Sequence, residues 1–147
     1  MVTSIPISWC VLTSFNHKNP PNIILGRKKE VHDKYIAHNH SLKESGKTVK
    51  QHIMDTVFRN SEEKYIFQKN NFPYHTFDGI EHHVLWLNPR KMESVLLDWN
   101  EIRSLICEKI FESNFEVMEN YCVYFQNAVK YQSIRGIPHV HIFKLVR

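Results

Sequence analysis

Apolar residues recur at two different spacings along this chain, and the change of spacing divides it. Between residues 27 and 58 they fall at helical intervals. Val31, Tyr35 and Ile36 share one face of a helix that begins after Gly26 and fades near Asn39. Gly46 breaks the pattern, Thr48 supplies an N-cap, and Val49, Ile53, Val57 and Phe58 carry a second short helix. Ahead of them, residues 5–15 read as a short helix or an irregular arm that tucks Trp9 into the core, ended by the break Asn19-Pro20-Pro21-Asn22. Beyond residue 60 the pattern becomes strand-like. Runs rich in aromatic and β-branched residues occupy 63–68, 82–88, 121–125 and 139–145, and Pro89 ends the second. One helical stretch interrupts them over 95–111, where Val95, Trp99, Ile102, Leu105, Ile106 and Ile110 recur on one side.

Strand, strand, helix, strand, strand is not the βαβ rhythm of a parallel sheet. The pattern predicts an α+β fold: an antiparallel sheet of about four to five strands, one long helix packed on it, and two short N-terminal helices. A length of 147 residues suits a single domain, with a helical part over 1–60 packed on an α+β core over 61–147.

Composition narrows the class. The hydrophobic fraction of 42% and charged fraction of 23% are those of an ordinary globular chain, and 4 Gly with 6 Pro exclude a low-complexity one. Cys10, Cys107 and Cys122 are odd in number and widely spaced, which suits a reducing, cytoplasmic setting rather than a disulfide framework. No apolar run is long enough for a membrane span, and residues 1–14 lack the basic start of a secretory leader. The net charge of +4 is mild but uneven. Residues 27–52 hold seven basic side chains against three acidic ones, and residues 93–119 hold seven acidic against two basic. A basic N-terminal face of this kind is either a solvated surface or a docking site for an acidic partner, and Arg27, Lys28 and Lys29 would lead it. Toward nucleic acid it would suit phosphate contacts better than base reading.

Ten histidines are the compositional oddity, and two of them carry the candidate chemistry. In a strand, His139 and His141 at i and i+2 share one face while Val140 and Ile142 take the other. Paired imidazoles can hold a metal, bind a phosphate when protonated, or act as nucleophile and orienter; they can also simply decorate a half-wet sheet face. His82 and His83 point opposite ways, so at most one joins them. The expected site therefore has His141 and His139 as catalytic residues. His82, Arg135 and Tyr74 would be its substrate contacts, with Arg135 in a loop framed by Gly136 and Pro138. A metal reading would add Asp78 or Glu81 to the histidines, but the spacing names neither a metal nor a dedicated ligand set. The chain has no Walker loop, nucleophile elbow or paired-carboxylate motif, so no cofactor is identified.

Several stretches, in order, resemble an uncharacterised family named after a fungal N-acetylglucosamine-induced protein. They are Trp9, Leu25-Gly26-Arg27, Val57-Phe58, Asn70-Asn71-Phe72-Pro73-Tyr74, Ile80 through Trp86, and Ser133 through Phe143. The resemblance spans nearly the whole chain and implies no biochemical role. A second resemblance, to the histidine-triad nucleotide hydrolases and transferases, rests on the strand at His83, the helix after it, Tyr124-Phe125-Gln126-Asn127 and His139-Val140-His141-Ile142-Phe143. It implies a nucleotide- or phosphate-ester-directed reaction on a nucleotide or phosphorylated small molecule. His141 would be the nucleophile, with Asn127 and Ser133 touching the ligand. Phe143 stands where that motif has its third histidine. The alternatives are a noncatalytic adaptor using the basic face and a histidine-ligated metal protein.

Overall fold

The computed structural model describes every residue except Val95, Ser133, Arg135 and Arg147. Among the described residues five α-helices and four strands follow one another as α1 (Trp9–Leu12), α2 (Lys29–Glu44), α3 (Val49–Thr56), β1 (Tyr65–Lys69), β2 (Ile80–Leu87), α4 (Trp99–Ile110), α5 (Phe115–Tyr121), β3 (Cys122–Phe125) and β4 (His139–Leu145). Their starts follow local chemistry. Ser8, Thr48, Asp98 and Asn114 each accept a bond from a first-turn amide of the helix they precede. At α3 the cap is reciprocal, because the Gln51 side chain returns to the Thr48 amide.

The strands form one sheet in the order β1-β2-β4-β3, antiparallel at each pairing. The last two strands are neighbours, as the α+β reading expects. Register sets the two faces. Val84 lies opposite His141, Trp86 opposite His139, and His82 opposite Phe143, so these six side chains share a face. Leu85, Leu87, Val140 and Ile142 occupy the other face and pack with Ile102 and Ile106 of α4 and Met118 of α5.

The expectation of one dominant helix on the sheet needs correction. α4 has 12 residues, whereas α2 has 16 and is the longer. The apolar signal in α2 stops early because the helix runs on to Glu44 with mostly polar, solvent-facing residues and buries only Leu42. The predicted start of α4 at Val95 falls outside the described residues. Helices also cover both faces, since the N-terminal segments lie over the histidine face. There Leu12, Leu25 and Tyr74 join Val123, Phe125 and Phe143 in one apolar cluster, and Ile53 and Phe58 join Val84, Trp86 and Ile137 in another. The histidines stand where these two clusters meet.

Candidate functional site

The chain reaches the site from four directions. β2 brings His82, β4 brings His139 and His141, the loop before β2 brings Tyr74, and the loop after β3 brings Asn127. All five are buried. His82 Nε2 lies 2.9 Å from His141 Nδ1. The Asn127 amide lies 2.8 Å from the Tyr74 hydroxyl and 3.3 Å from His141 Nε2. The sequence-expected contacts His82, Asn127 and Tyr74 are thus brought together with His141. Ser133 and Arg135 lie outside the described residues.

Proton positions in this cluster follow from one group that cannot change role. The backbone N–H of Tyr74 donates to His82 Nδ1 at 3.1 Å. A backbone amide only donates, so His82 Nδ1 is bare and its proton sits on Nε2. That proton goes to His141 Nδ1, which leaves the His141 proton on Nε2. His141 Nε2 faces the Tyr74 hydroxyl at 3.4 Å and Asn127 at 3.3 Å. As placed, the amide nitrogen of Asn127 is turned to both. An end-for-end turn of that amide leaves its shape unchanged and sets its oxygen to accept from both. The lone pairs of His82 and His141 are therefore occupied inside the protein.

His139 differs. Its Nδ1–H donates to the carbonyl of Ile137 at 2.8 Å, so its lone pair is on Nε2. Among the described residues Nε2 of His139 has no hydrogen-bond partner, and the residue lines a cavity. Burial holds all three imidazoles below the ordinary histidine range. For His82 the Arg27 charge adds to burial, for His141 the neighbouring His82 adds to it, and for His139 the Ile137 carbonyl opposes it. Burial likewise pushes the Tyr74 hydroxyl up.

The cavity lies between the sheet face, α2, α3 and the loop at residues 70–72, and has a volume of about 490 Å³. His139 and His141 are on its wall; His82, Tyr74 and Asn127 stand behind it. Among the described residues no Asp or Glu lines it, while Arg27, His38, His52 and the two strand histidines do. Phe143, at the position of a third triad histidine, is fully buried and stacks on His82 with centroids 4.3 Å apart. It supports the cluster and takes no part in the wall. His83 points to the opposite face and pairs with Glu81 instead.

Arg27 overturns its reading as part of a basic docking face. Only 8% of it is exposed. Its backbone is zipped to Met1 and Thr3, and its guanidinium turns inward, with Nε donating to the Phe72 carbonyl at 2.7 Å. The charge lies 4.4 Å from the Tyr35 ring centre and 5.4 Å from that of Tyr74. Among the described residues no carboxylate pairs with it. The sequence offers only one hint of this: Arg27 follows Gly26, where an added Cβ would lie 2.8 Å from the Thr3 side chain, so the backbone here is closely packed. Lys28 and Lys29 remain exposed, as a solvated face requires.

A family model for a protein of unknown function, DUF3605, matches residues 9–145. The chain belongs to that family. Membership agrees with the expectation of a family without an assigned role, and it brings no activity with it. No curated protein matches the chain. A crystal structure of HTC1 is similar in fold, with a TM-score of 0.55 and 21% identity over 84% of this chain and 77% of that one. At that identity the likeness concerns architecture alone. Among the described residues no helix is long and apolar enough to cross a membrane, and no group of three His, Cys, Asp or Glu side chains is set to hold a metal ion.

Proposed function

We propose that the cavity binds a small phosphate ester or related oxyanion. The observation that carries this reading is Arg27, a buried cation with no carboxylate partner on the wall of a cavity that lacks acids among the described residues. Burying an unpaired charge costs several kcal/mol, on the order seen for isolated ions in protein interiors, and a bound anion offsets that cost. A guanidinium meets phosphate or carboxylate oxygens through paired N–H donors, and the neutral imidazoles around it can take up a proton as the anion arrives. Tyr35, Phe72 and Trp86 on the wall supply flat apolar surface for the rest of the ligand, and Gln68 and Asn70 supply amide contacts. A nucleotide or a phosphorylated small molecule fits this mixture. Three free thiols suit a reducing, cytoplasmic location for such a site.

Two alternatives have less support. An adaptor surface on the basic N-terminal face loses Arg27, which points inward. A metal centre on the three histidines would need lone pairs that are already engaged, since His82 Nδ1 accepts from the Tyr74 amide and His141 Nδ1 accepts from His82.

Calorimetric titration of wild type and Arg27→Gln with inorganic phosphate, pyrophosphate, ADP and sulfate tests the reading. Wild type is expected to bind at least one phosphate probe in preference to sulfate, and Arg27→Gln to bind it at least about tenfold more weakly, about 1.4 kcal/mol. Equal affinity in a folded Arg27→Gln variant would remove the proposal.

A further inference from the structure

We propose that the site is catalytic, with His139 Nε2 as a covalent nucleophile toward a phosphoanhydride or acyl phosphate. This rests on the reading of the cavity as a phosphate site and assigns its reaction. Of the three histidines joined on this sheet face, one has a lone pair available to a ligand. His82 Nδ1 accepts from the Tyr74 backbone and His141 Nδ1 accepts from His82. His139 alone gives its Nδ1 proton to a main-chain carbonyl, that of Ile137, and leaves Nε2 unpaired among the described residues. A carbonyl at Nδ1 fixes the tautomer, orients the ring and stabilises the positive charge that develops when Nε2 forms a bond. The ring is also held in place, 5.2 Å from the Trp86 ring centre and 5.3 Å from that of His141.

The wall narrows the substrate class. Without an Asp or Glu on it among the described residues, the cavity provides no carboxylic acid to protonate a departing alkoxide. The chemistry it suits is one whose leaving group departs as a stable anion. The lone pair of His139 Nε2 attacks phosphorus and forms the N–P bond. The bridging P–O bond breaks, and its electron pair leaves on a phosphate or carboxylate. Water then attacks phosphorus, the N–P bond returns its pair to Nε2, and orthophosphate and a proton are released. Arg27 binds the non-bridging oxygens or the leaving anion.

The test incubates the full chain with ³²P-labelled acetyl phosphate, pyrophosphate and ADP, and maps any label by mass spectrometry under conditions that keep N–P bonds intact. The expected result is an acid-labile, base-stable label on His139 of the wild type. His139→Asn, which keeps a donor toward Ile137 but lacks Nε2, should label at least about 100-fold more slowly. His83→Gln, on the opposite sheet face, should label like the wild type. A label on His141 or His38 overturns the assignment, and this holds from the wild-type map even where a variant fails to fold. Binding of a probe by calorimetry without label overturns this inference and leaves the phosphate site standing. Binding of none of them removes both.

Discussion

Between His82 Nε2 and His141 Nδ1, 2.9 Å apart, there is room for one proton, and it belongs to His82. The backbone amide of Tyr74 decides this from the far side of the His82 ring. Two buried imidazoles are thereby held neutral and oriented, and a third, His139, on the cavity wall, keeps a lone pair without a partner among the described residues.

Replacing His82 by Phe keeps a ring against Phe143 but removes the hydrogen bonds to the Tyr74 amide and to His141. The Tyr74 amide and His141 Nδ1 then lie buried without partners, each at about 1–3 kcal/mol. Urea unfolding should show a loss of at least about 1 kcal/mol; an unchanged midpoint would mean the relay contributes nothing to stability.

The same neutrality makes stability depend on pH. His82, His139 and His141 hold their folded-state protonation below the ordinary histidine value of 6.5. Above that value neither the folded nor the unfolded chain protonates them. As pH falls through it, the unfolded chain gains protons that the folded one does not, so stability is lost on acidification until the folded groups titrate too. Each such histidine contributes up to about 1.4 kcal/mol per pH unit in that window. The melting temperature is therefore expected to fall between pH 7.5 and pH 5, more steeply in wild type than in His82→Phe. Parallel curves would contradict the assignment.

Arg27→Gln should separate stability from binding. Removing a buried, unpaired charge relieves its desolvation, while the loss of its aromatic contacts and of its bond to Phe72 works against the variant. The ligand-free variant is expected to melt no lower than about the wild-type temperature. A loss of about 3 kcal/mol or more would instead assign Arg27 a purely structural role.

Gly79 has a φ of +86°, and a Cβ there would stand 2.8 Å from the Val146 carbonyl oxygen. The left-handed conformation alone costs a non-glycine residue about 1–2 kcal/mol, and the close approach adds to it. Gly79→Ala should lose more than that in chemical denaturation. Because the turn feeds β2 into its pairing with β4, the His82 proton resonance should shift as well.

Phe143→Ala removes a fully buried ring and is expected to cost about 3–5 kcal/mol. Trp99, which begins α4, is only partly buried and packs its ring near Tyr124 and His17, so Trp99→Ala should cost less. The reverse order in thermal unfolding would place the stabilising core on the α4 side.

Alternation along a strand is a local property, and it was legible. It put His139 and His141 on one face, opposed His82 to His83, and marked the four strands. Capping chemistry at Thr48 was equally local. The helix α5 was not legible, because Phe115, Val117 and Met118 run directly into the strand signal of β3 without a break. Which imidazole keeps its lone pair was beyond the sequence as well. That depends on the Tyr74 amide reaching His82 and the Ile137 carbonyl reaching His139, and a proton's position follows from the partners that folding supplies. Arg27 shows the same limit. Its charge among neighbouring lysines reads as surface, and only the packing of Met1, Thr3 and Phe72 around it turns it inward, away from water and toward the histidines.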